Sequence, residues 1–510
     1  MKKLIAILLA LSMIFALVAC SQAPAETPST PDTPAASDTP ASSDKPAEPS
    51  EAPADEPAAP VEEPAEELAG VTADTIWVGN TAGTTGALAT IGGPFNTGIE
   101  AAFAAYNAQG GFQGKNVALK HYDDGGVATQ SVTLMEQLIH EDEVFAIVGN
   151  FAATCVAANL PIIKEAGVPM VYAAAGNDEL LNENATGADR GIFPVQPLNH
   201  TEGRMLILRA FAPQDKGGLG GTKVGVLTNT DEASQTMLEG IKAEADALPA
   251  AQKDAITYQN VTSTDFSAAI NAFKAAGCDV VVIAVTGANF TSALTAMANA
   301  NYYSPVLTSY NNASAAVFND PATTILADQY ADVLANIPIF AQAWLDITST
   351  DYFYNDTETA LYQGYAALGL AVEGTGVAGF KEEYWGVAEN IYNYCAGKGM
   401  ENAFAMSYDS FALAGYIAGD LFCQGLAELE AQGKALTRAN YIDVLESKEF
   451  QVAMADKISF ANGMRAGVQS FALTAFYDAF TVNGGAYHSA ASATVYGLTS
   501  IDEYRAILAN

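Results

Sequence analysis

Thr75-Ile-Trp-Val-Gly79 and Gly93-Pro-Phe-Asn-Thr-Gly-Ile-Glu-Ala-Ala-Phe-Ala-Ala-Tyr-Asn-Ala-Gln-Gly-Gly-Phe-Gln-Gly-Lys115 decide the fold. The first is a short run of β-formers and reads as a strand. Asn80 to Gly93 follows as a loop rich in Gly, Thr and Ala. From Ile99 to Asn107 the apolar residues take helical spacing, with Phe103 and Tyr106 three apart, and Gly110-Gly111 stops the helix. A strand, a Gly-rich loop and a helix in that order begin a βαβ unit.

Working outward, the alternation continues. Val117 to Tyr122, Val144 to Val148 and Val168 to Tyr172 read as strands, separated by helices at Thr129 to His140 and Val156 to Ala166. After Phe193-Pro-Val-Gln-Pro197 the pattern restarts. Strands at Thr222 to Leu227, Ile256 to Val261, Asp279 to Val285 and Pro305 to Tyr310 alternate with helices near Met237, at Phe266 to Ala276 and at Phe290 to Asn301. Helices of this length between strands imply right-handed crossovers and parallel sheets. The expectation is an α/β protein of two doubly wound, Rossmann-like units. The roughly 440 residues after the N-terminal region also exceed one core.

The N-terminus reads as an export signal. Lys2 and Lys3 precede the apolar run Leu4 to Ala16, and Leu17-Val18-Ala19 leads to Cys20. This looks like a bacterial lipobox, in which Cys20 is acylated and becomes the mature N-terminus. Residues 1–19 are then a signal peptide. Residues 20–71 hold the lipidated cysteine and a spacer, and eleven of the 21 prolines fall between Ser21 and Leu68 with twelve acids against Lys45 alone. Such a stretch has too little to bury to offset its ordering entropy. Extended, it reaches at most about 150 Å. The chain is thus expected outside the cytoplasm, anchored to the cell membrane.

The formal charge of −36 includes +2 from the signal and −11 from the spacer, leaving −27. With no basic stripe for phosphates, nucleic acid is excluded as a partner. Cys155, Cys278, Cys395 and Cys423 lack metal-like spacing and are expected as buried free thiols. His121, His140, His200 and His488 form no i, i+4 pair, no G-x-S-x-G elbow occurs, and no cofactor motif appears. Gly110 to Lys115 has the wrong spacing for a phosphate loop and ends a helix. Asp123-Asp124 is expected to cap the following helix. Asp351-Tyr-Phe-Tyr354 is open between surface packing and a carbohydrate or peptide site.

Taken in order, the segments resemble the branched-chain amino-acid (Leu/Ile/Val) binding proteins, type I periplasmic receptors of ABC importers. The resemblance rests on Asn96, Gly98, Ala102, Asn107, Gly110, Gly111, Gly114 and Asp123-Asp124, then Phe145-Ala-Ile-Val-Gly149 and Gly167-Val-Pro-Met-Val171. Asp265-Phe-Ser267, Asp279-Val-Val-Val-Ile283, Ser407-Tyr-Asp-Ser-Phe-Ala412 and Ile458-Ser-Phe-Ala-Asn-Gly463 extend it over residues 72 to 480. It implies a type I periplasmic binding fold with three crossovers, lobe 1 being 72–197 plus 349–458 and lobe 2 being 198–348 plus 459–510. It further implies a non-enzymatic, monomeric receptor that closes its interlobe cleft on a small solute for an ABC permease and its ATPase.

The resemblance also nominates ligand positions. In lobe 1 these are Thr85, Ile91, Phe151, Ala153, Thr154, Ala174, Ala175 and Gly176. Thr154 and backbone N–H groups at a helix N-terminus are suited to a carboxylate, although Thr154 also reads as a plain N-cap. In lobe 2 they are Asp231, Thr286 and Asn311. Asn311 falls where amino-acid receptors carry an acid for the ligand ammonium, so Asp231 or Glu232 must supply the charge, or the solute is an amide, urea-like or small carboxylate. A receptor feeding a sensor system, a hydrolase and a surface adhesin are the other readings.

Overall fold

The computed structural model describes residues 68–319, 326–367, 371–372, 375–482 and 487–509. Cys20, the expected export signal and most of the expected spacer lie outside the described residues.

The first sheet is built from β1 (Thr75–Ala82), β2 (Asn116–Asp123), β3 (Ala146–Phe151), β4 (Met170–Ala174) and β5 (Ile192–Phe193), in the order β2-β1-β3-β4-β5. All its pairs are parallel. β3 is buried along its whole length, as expected of a parallel strand covered on both faces. Between the strands run α1 (Ala89–Ala108), α2 (Ala128–His140) and α3 (Ala153–Glu165). α1 starts ten residues before the apolar spacing suggests and carries Pro94 inside it. Burial of Ile91, Phe95 and Ile99 on one face, at four-residue steps, outweighs the poor helix propensity of Gly92, Gly93 and Pro94.

The chain then enters a second sheet. α4 (Asn199–Phe211) leads to β6 (Val224–Asn229), α5 (Glu232–Ala245), β7 (Ile256–Val261), α6 (Ser267–Ala276), β8 (Val280–Ile283), α7 (Ala288–Asn299), β9 (Val306–Thr308), α8 (Asp328–Asn336) and β10 (Ile339–Ala343). A small sheet of β11 (Thr348–Tyr354), β12 (Ala371–Val372) and β13 (Gly376–Phe380) follows, with α9 (Ala360–Ala367) in its connection. Next come α10 (Glu382–Gly397), α11 (Ser410–Ala431), α12 (Arg438–Leu445) and the short antiparallel pair β14 (Glu449–Gln451) and β15 (Lys457–Ser459). The long hairpin of β16 (Ser470–Val482) and β17 (Tyr487–Ser500) completes the second sheet in the order β17-β16-β10-β9-β8-β6-β7, and α13 (Ile501–Leu508) ends the chain.

The doubly wound α/β reading therefore holds for both units. The hairpin, antiparallel to β10, and the β11–β13 sheet are additions that strand–helix alternation does not announce. Tyr354 of β11 is buried against Trp385, with centroids 4.6 Å apart and planes 14° apart, so this aromatic segment serves packing.

Each unit also closes a helix pair with glycine. A Cβ on Gly98 of α1 would lie 1.9 Å from the Ala412 carbonyl oxygen of α11, and one on Gly415 would lie 1.8 Å from that of Phe95. In the second unit Gly203 of α4 meets the Met237 carbonyl at 2.1 Å and Gly240 of α5 meets that of His200 at 2.0 Å. Backbone-to-backbone packing of this kind admits no side chain. The four cysteines at 155, 278, 395 and 423 are buried free thiols.

Candidate functional site

The register of β3 on β4 pairs Phe151 with Ala174, which sets Ala153 and Thr154, at the start of α3, beside Ala175 and Gly176. The Asn177 amide donates to the Ala153 carbonyl at 3.3 Å and ties these two loops together. Ala152, which enters α3, has φ of 71°, a left-handed conformation that a non-glycine residue rarely adopts. Thr154 is exposed in the first turn of α3, and no side chain caps that helix. Its first N–H groups are therefore available to an acceptor from solution.

Gly149 and Tyr172 also have positive φ, at 77° and 65°, between the register pairs Val148–Val171 and Asn150–Ala173. Both strands kink together there. The kink accompanies a fully buried Tyr172 ring 5.8 Å from Phe95, which itself lies 5.1 Å from Phe151. The Tyr172 hydroxyl donates to Gln196 at 3.1 Å. Ile91 joins this apolar wall from α1.

The Gly-rich loop after β1 is fastened by Asp123. Its carboxylate accepts from the Thr84 N–H at 2.9 Å, the Thr85 N–H at 3.3 Å, the Gly125 N–H at 3.0 Å and the Thr85 hydroxyl. Desolvation pushes this carboxyl up, but the donors from Thr85, Gly125 and Thr84 outweigh it and bring the pKa down to about 2. His121 bridges Asn80 at 2.9 Å and Thr84 at 3.1 Å in the same rim. Burial pushes its pKa down against the pull of Asp123 and Asp124. The expected helix cap is corrected here: Val127 occupies the N-cap of α2 without a side-chain bond, Asp123 holds the loop, and Asp124 accepts from the Gly126 N–H at 2.8 Å. The reason is geometric, since the two carboxylates leave a strand end on opposite sides and the nearer donors belong to loops.

In the second sheet β6, β8 and β9 are neighbours, and the loops leaving them carry Asp231, Thr286 and Asn311. Side chains link all three loops. Asp231 accepts from the Asn229 amide and from Asn289 at 3.2 Å, while the Gly287 N–H donates to Asn312 at 3.1 Å. Asp231 and Glu232 are exposed, and Asn311 and Thr286 are half-buried.

The two sets of loops meet. The Asn199 N–H donates to the Gly176 carbonyl at 3.2 Å, and Thr236 of α5 donates to Asp178 at 2.9 Å. A Cβ on Gly176 would lie 2.8 Å from the Asn199 side-chain oxygen, so this position is filled from the second lobe. Burial drives the pKa of Tyr310, beside Asn311, well up, and the nearby Glu202 and Tyr172 add to the rise.

Sequence reasoning missed Glu202. This residue of α4 is fully buried and accepts from the Ser309 hydroxyl at 2.8 Å and the Tyr310 N–H at 2.6 Å. Burial raises its pKa to about 7 in spite of these donors. An acid in the first turn of a helix reads ordinarily as a surface group favoured by the dipole. The only signal against that was the apolar run that follows it. Tyr172 and Asn177 gave no signal at all.

Two α/β lobes joined by several crossovers, with loops from the ends of their parallel strands meeting across a boundary, have the architecture in which open α/β sheets bind ligands at the strand ends. A family model described as periplasmic binding protein matches residues 75–367, more than half of the chain, and the chain belongs to that family. Membership bears out the resemblance read from the sequence and implies an extracytoplasmic location for a substrate-binding receptor. Leu/Ile/Val-binding protein homolog 2 of Brucella abortus is 28% identical over 42% of this chain and 55% of its own length. An amino acid binding protein of Pseudomonas aeruginosa is 24% identical over 39% and 50%. The chain thus aligns with about half the length of these curated relatives. Among solved structures, a branched-chain amino acid ABC transporter protein of Thermus thermophilus with bound valine covers 86% of this chain and 99% of its own at 12% identity, with a TM-score of 0.56. A fatty acid ABC transporter substrate-binding protein of Thermomonospora curvata covers 86% and 96% at 15% identity, with a TM-score of 0.57. These two establish the fold. Among the described residues no helix is long and apolar enough to cross a membrane.

Proposed function

We propose that this chain is a lipid-anchored extracytoplasmic receptor that captures an amino acid or related small polar solute and presents it, by cleft closure, to an ABC permease and its ATPase. It acts as a monomer and carries out no catalysis. Cys20 carries the lipid, and the spacer lets the receptor reach the permease. The lobes are 72–197 plus 349–458 and 198–348 plus 459–510.

The observation that carries the reading is the uncapped N-terminus of α3. It opens on left-handed Ala152, with Thr154 exposed and the Ala174–Gly176 loop alongside. Unpaired N–H groups at a helix start favour an anion such as a ligand carboxylate. Thr85, Ile91 and Phe151 shape the pocket on that lobe. Asp231, Thr286 and Asn311 approach from the other, where an ammonium would sit. A neutral side chain at Asn311 favours a second reading, a solute that is an amide, urea-like compound or small carboxylate, because an amide accepts from an ammonium more weakly than a carboxylate does.

A thermal-shift series on the purified chain tests this with α-amino acids, their amides, urea-type solutes and small carboxylates. A true ligand at a hundred times its Kd adds about 2.7 kcal/mol of stability. A branched-chain or other α-amino acid as the strongest stabiliser is the expected outcome. Stabilisation by uncharged or carboxylate solutes alone selects the second reading, and no shift from any of them removes both.

A further inference from the structure

Asn311 raises a question about charge, and the buried face beneath it carries an answer. Ser309, Tyr310 and Asn311 form the turn that leaves β9. The Ser309 hydroxyl donates to Glu202 at 2.8 Å and accepts from the Asn311 N–H at 3.0 Å. The Tyr310 N–H donates to the other Glu202 oxygen at 2.6 Å, and the Tyr310 hydroxyl donates to the Pro197 carbonyl at 3.2 Å. Glu202 is therefore joined to the Asn311 backbone through one hydroxyl, and to its neighbour directly.

We propose that Glu202 is the acid of the second lobe, a positioning and selectivity residue that fixes the Ser309–Asn311 turn and favours ligands carrying an ammonium group. This rests on the amino-acid reading given above. Direction in the relay supports it. A serine hydroxyl has one hydrogen, and here it points at the carboxylate because its oxygen already takes the Asn311 N–H. An ionised Glu202 reinforces both bonds, whereas a protonated one competes for the Ser309 oxygen and weakens the hold on Tyr310.

The surroundings leave the charge uncompensated. Among the described residues no lysine, arginine or histidine forms an ion pair with Glu202. On its own helix, Arg204 pairs with Glu183 at 2.8 Å, and His200 is neutralised by burial and by Arg204 while it faces Asp178, Glu183 and Glu239. From β9 the facing group is Tyr310, and Tyr172 of β4 lies behind it. One register step beyond the Ala341–Thr308 pair, Gln342 of β10 stands level with Ser309. It is fully buried, and neither of its amide atoms has a partner. A carboxylate buried without a cation gains from any positive charge brought to the turn. With its pKa raised to about 7, Glu202 changes charge near neutrality, so a cationic ligand and a proton compete.

Calorimetric titration of the full chain with L-valine and with 3-methylbutanoate, which lacks the ammonium, tests the proposal at pH 6 and pH 8. Wild-type protein should bind valine several-fold more tightly at pH 8, with no such gain for 3-methylbutanoate. Glu202→Gln should flatten the valine profile and lower its affinity at pH 8 by about tenfold. Ser309→Ala, which keeps the acid and breaks the relay, should lose part of that affinity. A Glu202→Gln protein that melts normally and retains both the valine affinity and its pH profile overturns the proposal. If wild type binds neither probe, the positioning role is read without ligand, and the solute panel above decides the amino-acid reading. Hydrogen exchange of the turn 309–312, corrected for intrinsic rates and taken relative to the core strand β8, should then be better protected at pH 8 than at pH 6 in wild type only. Equal protection of wild type at both pH values, or the same pH difference in Glu202→Gln, overturns it.

Discussion

Asp123 and Glu202 each hold a loop at a strand end, one on each lobe, yet their acidities move in opposite directions. Asp123 stands at a half-exposed strand end and gathers donors from Thr84, Thr85 and Gly125, which bring its pKa down to about 2. Glu202 lies inside α4 with Ser309 and Tyr310 as its donors, and burial brings its pKa up to about 7. Both carboxylates are hydrogen-bonded. What separates them is how much solvent was removed for each donor gained. The first lobe thus offers a rim whose charge is fixed at all physiological pH values, and the second a turn whose charge responds to protons and ligand.

The largest test of that contrast is the stability of the ligand-free protein against pH. Because Glu202 has its folded pKa above its unfolded value, the native state binds more protons between about pH 4.5 and 7. Stability therefore falls as pH rises through that window, by about 3 kcal/mol from this group when the shift is converted at 1.36 kcal/mol per pH unit. Urea denaturation at pH 5 and pH 8 should show that loss in wild type and its near absence in Glu202→Gln.

Asp123 should behave in the opposite sense and by less. Its pKa is depressed, so its contribution is present above the unfolded value near 3.8 and is lost as pH falls toward 2. Asp123→Asn should destabilise by about 1–2 kcal/mol at pH 7, the scale of charge-assisted bonds at a partly solvated site. Wild type and variant should converge in denaturation curves recorded near pH 2. A constant gap at both pH values would place the cause in packing.

The smallest effect concerns the bond between the lobes. Burial raises the Asp178 pKa, and the Thr236 hydroxyl opposes that rise. Thr236→Val should raise it further and cost about 0.5–1 kcal/mol of stability. Nuclear magnetic resonance titration of the Asp178 carboxyl carbon would record the shift. No movement would mean that the Thr236 hydroxyl does not bond Asp178 in solution.

Much of the fold was legible because its signals are local. Every strand read from apolar runs between residues 75 and 310 corresponds to a strand of the structure, with ends displaced by no more than three residues. Less legible were elements set by distant partners. α1 reaches back through Pro94 because Ile91 and Phe95 have a core to enter, and β16 and β17 are strands because β10 offers an edge. The nominated positions all fall in loops at strand ends or beside them, but their surroundings were not readable. Gly176 is filled by Asn199, and the Asp123 carboxylate turned from the next helix to the loop of Thr84 and Thr85.

The amino-acid order by itself determined the α/β alternation and the family, since spacing of two and of 3.6 residues is set within a few neighbours. Tertiary structure alone decided which acid serves the second lobe. Glu202 meets Ser309 across 107 residues of chain, and Asp178 meets Thr236 across 58. A carboxylate's charge depends on the water removed and the donors supplied at its final position, and neither quantity exists until the chain has folded.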